Sequence, residues 1–428
     1  MSSATHPPAH LAWSVWGLGA LLYLAGFFQR VAPAVMTHEL MAEFAIAATA
    51  LGNLSAFYFY SYVAMQIPTG LMVDRYGARR VLAGGAAVAA AGSLLFALAP
   101  SLALASVGRL LIGGSVGVAW VGTLKLAGHW LAPQRFAQAS GLALAAGMTG
   151  AVSAGVPLRW AVSEFGWRPV MLGGAAAIAL VCLLIWWLVR DDPSELGYRG
   201  YVAPQATGGA RAEVVRGLRE VLRYRNSWLV FLAPQGVTGA ILSFGGLWGV
   251  PYLVSVYGYS AERAAFYCSA LMLAWAFGGP AFGALSDRLR ERRPLYVVGA
   301  FSALTLWSIV ILSPRPLGPT LLLALLLAAG FSSGCMVIGF AIAKESVPAQ
   351  FAGTATGVAN MGSMTGAMLQ QPLIGWILDR HWQGTLDAGA RVYDAAAYRI
   401  GFLLLIGWLV ISFAAALSTR ETHARQCP

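Results

Sequence analysis

The stretch Gly70–Leu82, GLMVDRYGARRVL, decides how this 428-residue chain is read. An apolar run passes through Gly70 and ends at Asp74-Arg75. Gly77 and the basic pair Arg79-Arg80 follow, and a second apolar run starts at once. With long apolar runs on both sides, this is a tight basic turn between two membrane helices. The pattern returns at Gly283–Leu295, GALSDRLRERRPL. There Gly283, Asp287, Arg288, Arg292 and Arg293 stand 213 residues after Gly70, Asp74, Arg75, Arg79 and Arg80. That offset is about half the chain, so the turn describes a duplicated bundle of helices.

Here the chain resembles the major facilitator superfamily, whose signature between helices two and three reads G-x-x-x-D-R-x-G-R-K/R. The first copy has Ala78 in place of one basic position, and the second has Arg290 where the inner Gly stands. The resemblance covers essentially the whole chain. It implies an all-α integral membrane protein with twelve transmembrane helices in two pseudo-symmetric six-helix bundles, acting as a secondary transporter by alternating access.

Composition points the same way. The chain is 58% hydrophobic and 11% charged, against about 25% charged for soluble proteins. Fifty glycines suit close helix packing in a bilayer. The four cysteines are scattered without a CxxC pair, which argues against a disulfide or metal framework. Residues 1–10 hold no Lys or Arg and the first apolar run is too long for a cleavable signal.

Twelve apolar spans are expected, at Leu11–Val35, Thr49–Val73, Val81–Leu98, Leu102–Trp130, Phe136–Leu158, Val170–Val189, Trp228–Val256, Ala261–Leu285, Leu295–Leu312, Leu317–Ala343, Gly353–Leu378 and Ala397–Ser418. This divides the chain into a first bundle at 1–190, a polar central loop at 191–226 and a second bundle with a short tail at 227–428. The loop loosens through Pro204 to Ala210. It then reads RAEVVRGLREVLRYR, an amphipathic helix expected to lie on the membrane surface. Of 28 Lys and Arg, 18 fall on the side that holds both termini, seven on the other side, and three inside spans. The net charge of +11 is therefore a topology signal that puts both termini in the cytoplasm. It is not the footprint of nucleic-acid binding.

The repeat extends beyond the turn. Met148-Thr149-Gly150-Ala151 recurs as Met364-Thr365-Gly366-Ala367, and Pro33 has a counterpart in Pro251, which matches Arg30 with Trp248. Span two ends, and span eleven starts, on the side of the termini. A helix N-terminus favours a carboxylate, so Asp74 is expected to latch onto the start of span eleven, and Asp287 onto the start of span five. Gly70 and Gly283 would let the backbones meet. Asp74, Arg75, Arg79, Arg80, Asp287 and Arg288, with Arg109, form the candidate gating set.

The charges inside the spans carry the substrate reading. Three cations sit there, Arg30, Arg109 and Lys125, while none of the seventeen Asp and Glu lies mid-span. Ionisable groups in a membrane interior usually face a cavity. Arg30 shares a helical face with Tyr23 and Phe27, and Gln29 is adjacent. Arg109 lies in GRLLIGGSVG, which resembles the superfamily's R-x-x-x-G pattern, whose Arg serves proton coupling or packing. Lys125 lies about 160° around the same helix from Arg109, so the two cannot both face one cavity unless the helix bends. The alternative for each cation is a structural role, bonding carbonyls or reaching the interface. Tyr58, Tyr62 and Gln66 follow helical spacing in span two, and Trp120 shares a face with Arg109. Across the axis, Gln235, Trp248, Asn360 and Gln371 complete the candidate binding set.

No nucleophile–base set, metal cluster or phosphate loop is present, so neither an enzyme nor a cofactor is expected. Cations without carboxylates favour an anionic small-molecule substrate, and the resemblance to superfamily members that carry organic anions implies a carboxylate- or phosphate-bearing metabolite or a polycarboxylate siderophore. The alternative is multidrug efflux by proton antiport. Members that export lipophilic cations keep an acid within the bundle and a G-x-x-x-G-P-x-x-G-G pattern in span five; here that span reads GAVSAGVP from Gly150 to Pro157. The expected setting is a monomer in a bacterial inner membrane, with protons as one option for the coupling ion.

Overall fold

The computed structural model describes residues 5–201 and 210–427. Among the described residues, twelve long helices, some of them interrupted, form two sets of six. We label them α1 (Ala9–Val31), α2 (Ala48–Tyr76), α3 (Ala78–Leu98), α4 (Leu102–Trp130), α5 (Phe136–Ser153, continued by Val156–Phe165) and α6 (Trp167–Leu188). The second six are α7 (Arg225–Tyr257, with a π-helical turn at Phe244–Trp248), α8 (Ala261–Leu289), α9 (Arg293–Leu312), α10 (Pro319–Glu345, broken after Ser333), α11 (Ala352–Arg380) and α12 (Ala395–Ser418). Among the described residues, nine helices are long and apolar enough to span on those grounds alone. The other three are α2, α5 and α11. α5 is bent by 40° at its break, and α2 and α11 are diluted with Tyr, Asn, Gln and Thr.

Those three helices share a reason for their composition. α2 packs along α11, and α5 packs against α8, so all three line the seam between the two bundles. A helix face turned to a seam rather than to lipid can carry polar side chains.

Each half repeats one packing order. α4 lies against α2 and α3, α3 against α6, and α1 against α4 and α5. In the second half α10 lies against α8 and α9, α9 against α12, and α7 against α10 and α11. The repeated Met-Thr-Gly-Ala quartet has a structural cause. A β-carbon at Gly150 would overlap the Leu24 carbonyl of α1, and one at Gly366 would overlap the Gln235 carbonyl of α7. The quartet is where α5 meets α1 and where α11 meets α7.

The first and last described residues lie on one face, called here the terminal face; the opposite one is the distal face. At the terminal face α2 ends on Gly77 (φ 83°), and the matching position in the second turn is Arg290 (φ 55°). A carboxylate from beyond the sixth helix of each half caps the helix that follows the turn. The Arg79 N–H donates to Asp191 at 2.8 Å, and the N–H groups of Arg292 and Arg293 donate to Glu421 at 3.0 and 2.7 Å. The Arg79 guanidinium donates to the Trp186 carbonyl, and that of Arg293 to the Leu417 carbonyl.

This corrects the register read from the sequence. Arg79 corresponds in role to Arg293, not to Arg292, because the second turn holds one extra residue after its αL position. Arg292 is thereby freed to bond Asp287 at 2.6 Å and Glu345 at 2.8 Å.

The expected terminal latches are not made in this conformation. Asp74 is 72% exposed and accepts from Lys125 Nζ at 2.9 Å, within its own half. Asp287 is likewise exposed and held by Arg292. A β-carbon at Gly70 would meet nothing within 4 Å, and one at Gly283 only Val337 at 3.6 Å, so neither glycine marks a backbone crossing. The loose linker at 202–209 lies outside the described residues. The helix Ala210–Val221 that follows it docks on protein, not on lipid alone. Gly217 faces Thr354 and Phe351 near the start of α11, and Val221 is fully buried.

Candidate functional site

Arg30 lies five residues before the end of the first span at Val35, past its midpoint towards the distal face. A helical side chain leans back towards the N-terminus, which brings the guanidinium to mid-depth among rings. Its Cζ stands 4.2 Å from the Phe27 ring centroid, 5.1 Å from Tyr62 and 5.6 Å from Tyr58. Tyr58 and Tyr62 stack at 6.0 Å, as one helical turn on α2 requires. Tyr23 extends the cage, 4.9 Å from Phe27 and 5.2 Å from Trp120 of α4. Arg30 is 3% exposed, and no carboxylate among the described residues lies within ion-pair distance of it. Cation–π contact covers part of the charge's desolvation; it supplies no counter-ion.

The structure sorts the remaining candidates. Gln66 and Asn360 meet across the seam at 2.8 Å, joining α2 to α11. Trp248 donates its ring N–H to the Gln371 carbonyl at 3.0 Å, tying the π-helical turn to α11. Gln371 donates from Nε2 to the Leu242 carbonyl at 3.0 Å, and its Oε1 is buried without a donor among the described residues.

Four candidates sit elsewhere. Gln29, though adjacent to Arg30, points the other way round the helix and donates to Ser93 on α3. Gln235 bonds Phe231 and Trp408 inside the second half, where it also accepts from Gln370 through its backbone. Lys125 belongs to the terminal-face pair with Asp74. Arg109 is 1% exposed, donates to the Gln29 carbonyl at 2.6 Å and lies 5.2 Å from the Tyr58 ring, so it packs α4 onto α1 and α2.

The distal face carries a set of contacts that pattern reading missed. Asp379, one residue from the end of α11, accepts from the Ala48 N–H at 3.1 Å, the Thr49 N–H at 2.8 Å and the Thr49 hydroxyl at 2.5 Å. The Tyr393 hydroxyl donates to it at 2.6 Å. A carboxylate thus caps α2 from the other half, in the favourable sense for a helix N-terminus. On the α5–α8 side, Arg159 pairs with Glu39 at 2.5 Å and lies 3.7 Å from Glu262 in the first turn of α8. The only signal for these in the sequence was position, acids and arginines at span ends.

The sequence profile of the Major Facilitator Superfamily matches residues 16–370. The chain is 24% identical to the probable sulfoacetate transporter SauU of Cupriavidus necator, with 95% of each chain covered. It is 23% identical to the probable galactarate/D-glucarate transporter GudP of Bacillus subtilis, with 94% of each covered. Its fold is like that of a bacterial homologue of the human lysosomal transporter Spinster, solved inward-facing and unoccupied. The TM-score there is 0.79 at 20% identity, over 96% of this chain and 97% of that one. A profile match over most of the chain, on twelve helices in two repeated bundles, means that this protein belongs to the Major Facilitator Superfamily, a family of transporters and not of enzymes.

Proposed function

We propose that the chain moves a small or medium organic anion across the membrane by alternating access, with Arg30 as the principal charge that receives it. One observation carries the reading: a buried guanidinium at mid-depth, beside the seam, with rings around it and no acid partner among the described residues. An unpaired charge there is expensive, and a cargo anion would offset it through charge-assisted hydrogen bonds. The relatives named for sulfoacetate and for galactarate and glucarate, all organic anions, support the same class. Tyr23, Phe27, Tyr58, Tyr62 and Trp120 would wall the site from the first half, and Gln371, Trp248 and Asn360 would face it from the second. The terminal face, with its excess of Lys and Arg, is the cytoplasmic one under the positive-inside rule. The distal contacts of Asp379 and Arg159 then hold the outer side closed. Asp74 and Asp287 would exchange their present partners for the starts of α11 and α5 when the cytoplasmic side closes.

The test is a thermal-shift screen of the purified protein against anions, cations and neutral solutes, followed by proteoliposome uptake of the best anion. Anions should stabilise the wild type and lose that effect in Arg30→Ala. Stabilisation by lipophilic cations alone, or normal transport by Arg30→Ala, would overturn the reading.

A further inference from the structure

We infer that the cargo is a dianion, with one negative charge received by Arg30 and the second balanced by Arg109. This rests on the organic-anion reading above and narrows it. Two close helix crossings bring the arginines together. A β-carbon at Gly26 of α1 would overlap the Val116 side chain of α4, and one at Gly113 of α4 would overlap the Tyr58 carbonyl of α2. α1 and α4 run in opposite directions. From the Gly26–Val116 crossing towards the distal face, α1 therefore leads to Arg30 and α4 to Arg109. Arg109 reaches the base of Arg30 itself, because its Nη1 donates at 2.6 Å to the carbonyl of Gln29, the residue before. The two also share a neighbour. The Tyr58 ring centroid lies 5.6 Å from the Arg30 Cζ and 5.2 Å from the Arg109 Cζ.

Neither charge has an acid partner among the described residues. The Nε of Arg30 and the Nε and Nη2 of Arg109 are buried without an acceptor among them. Packing α4 onto α1 explains the one hydrogen bond to the Gln29 carbonyl, which a neutral amide could also donate. It does not explain a full charge with two idle nitrogens. Two buried like charges this close are costly twice over, since each is desolvated and each repels the other.

Being near one ring, the two charges are at most about 11 Å apart, a range at which a unit charge changes an affinity by about tenfold at the effective dielectric of a protein interior. A monoanion on Arg30 leaves one buried positive charge uncompensated, and a dianion leaves none. Arg109 need not touch the cargo to exert this preference, because the interaction acts through space.

The test uses the purified full chain and probes that differ by one charge at similar size: succinate with succinamate, glucarate with gluconate, and sulfoacetate with methylsulfonylacetate. The neutral control is succinamide. Affinities come from ligand-dependent thermal shifts at constant ionic strength and about pH 7.5, where these acids are ionised. In at least one pair the dianion should bind about tenfold tighter than its monoanionic analogue. Arg109→Gln should weaken the dianion about tenfold more than the monoanion, which brings that ratio close to one. Arg109→Lys keeps the charge and should keep most of the ratio, an outcome that a role in packing alone would not give. If the variants do not fold, the wild-type pairs decide by themselves. Monoanions that bind as well as their dianionic partners, no shift from any dianion, or a ratio unchanged in Arg109→Gln overturns the inference. The underlying anion reading fails separately, if succinamide stabilises the protein as well as the anions do or if no anion, single or double, stabilises it.

Discussion

Arg30 is planar and sits among ring faces, and both features exclude a lysine in its place. A guanidinium can stack on Phe27 and Tyr62 and still present a fork of N–H donors to a carboxylate, whereas an ammonium does neither as well. Arg30→Lys should weaken anion binding by about 1.5–3 kcal/mol, roughly ten- to a hundredfold in Kd, with little loss of thermal stability in the absence of ligand. Equal binding by the lysine variant, measured by equilibrium titration, would place the anion elsewhere. The arginine was legible in the sequence because a charge in an apolar run has few reasons to exist. Its neighbours Tyr58 and Tyr62 were legible through helical spacing. Gln29 and Lys125 stand apart from the ring cage for two separate reasons. Adjacency in sequence turns a side chain about 100° round a helix, which sends Gln29 to Ser93. A long lysine stem reaches well beyond its own turn, which takes Lys125 to Asp74.

At the scale of elements, the pair α2 and α11 governs the seam, because it is tied at the distal end by Asp379 and deeper by Gln66 with Asn360. Asp379→Asn keeps an acceptor but removes the charge that favours the α2 N-terminus, a loss of about 0.3–1 kcal/mol and up to about 2 where partly buried. That bias should open the distal face more often. A cysteine at position 35, where Val35 is buried at the seam, should then label several-fold faster in the Asp379→Asn background than in the parent. Unchanged labelling would remove Asp379 from the gate. Asp74→Asn belongs to the other end of the same pair and should slow turnover more than it weakens binding; the reverse would rule out the terminal latch.

The cap on α9 makes a pH prediction. Partial burial raises the Glu421 pKa, but N–H donors from His423, Arg292, Arg293 and Thr422 outweigh it, and the carboxyl is held below its ordinary value of 4.5. A depressed acid contributes stability that is present above the unfolded-state pKa and is lost as pH falls through the folded one. Glu421→Gln should therefore lower the Tm at pH 7, and the difference from wild type should shrink as the pH drops below about 4.5. A difference that stays constant down to about pH 3 would assign the loss to packing instead. Neither this cap nor its partner at Asp191 stood out in the sequence, since a carboxylate three residues past a helix has no pattern until the fold brings the basic turn to it.

At the scale of the whole molecule, the two halves meet through α1 with α7, α2 with α11 and α5 with α8, and rocking about these contacts is what alternating access requires. If the halves move as bodies, a covalent tie at one face must stop transport while leaving each half intact. The Thr49 hydroxyl and Asp379 carboxylate are within hydrogen-bond reach at the distal end. Cysteines at these two positions, in a background lacking Cys182, Cys268, Cys335 and Cys427, should therefore cross-link under mild oxidant or a short bifunctional thiol reagent. The oxidised protein should lose uptake into proteoliposomes almost completely, recover it on reduction, and still bind anion from the terminal face. Each single cysteine should be unaffected by oxidant. Transport that continues through the cross-linked protein would mean that the distal seam does not open in the cycle, and that cargo passes by a route the α2–α11 pair does not control.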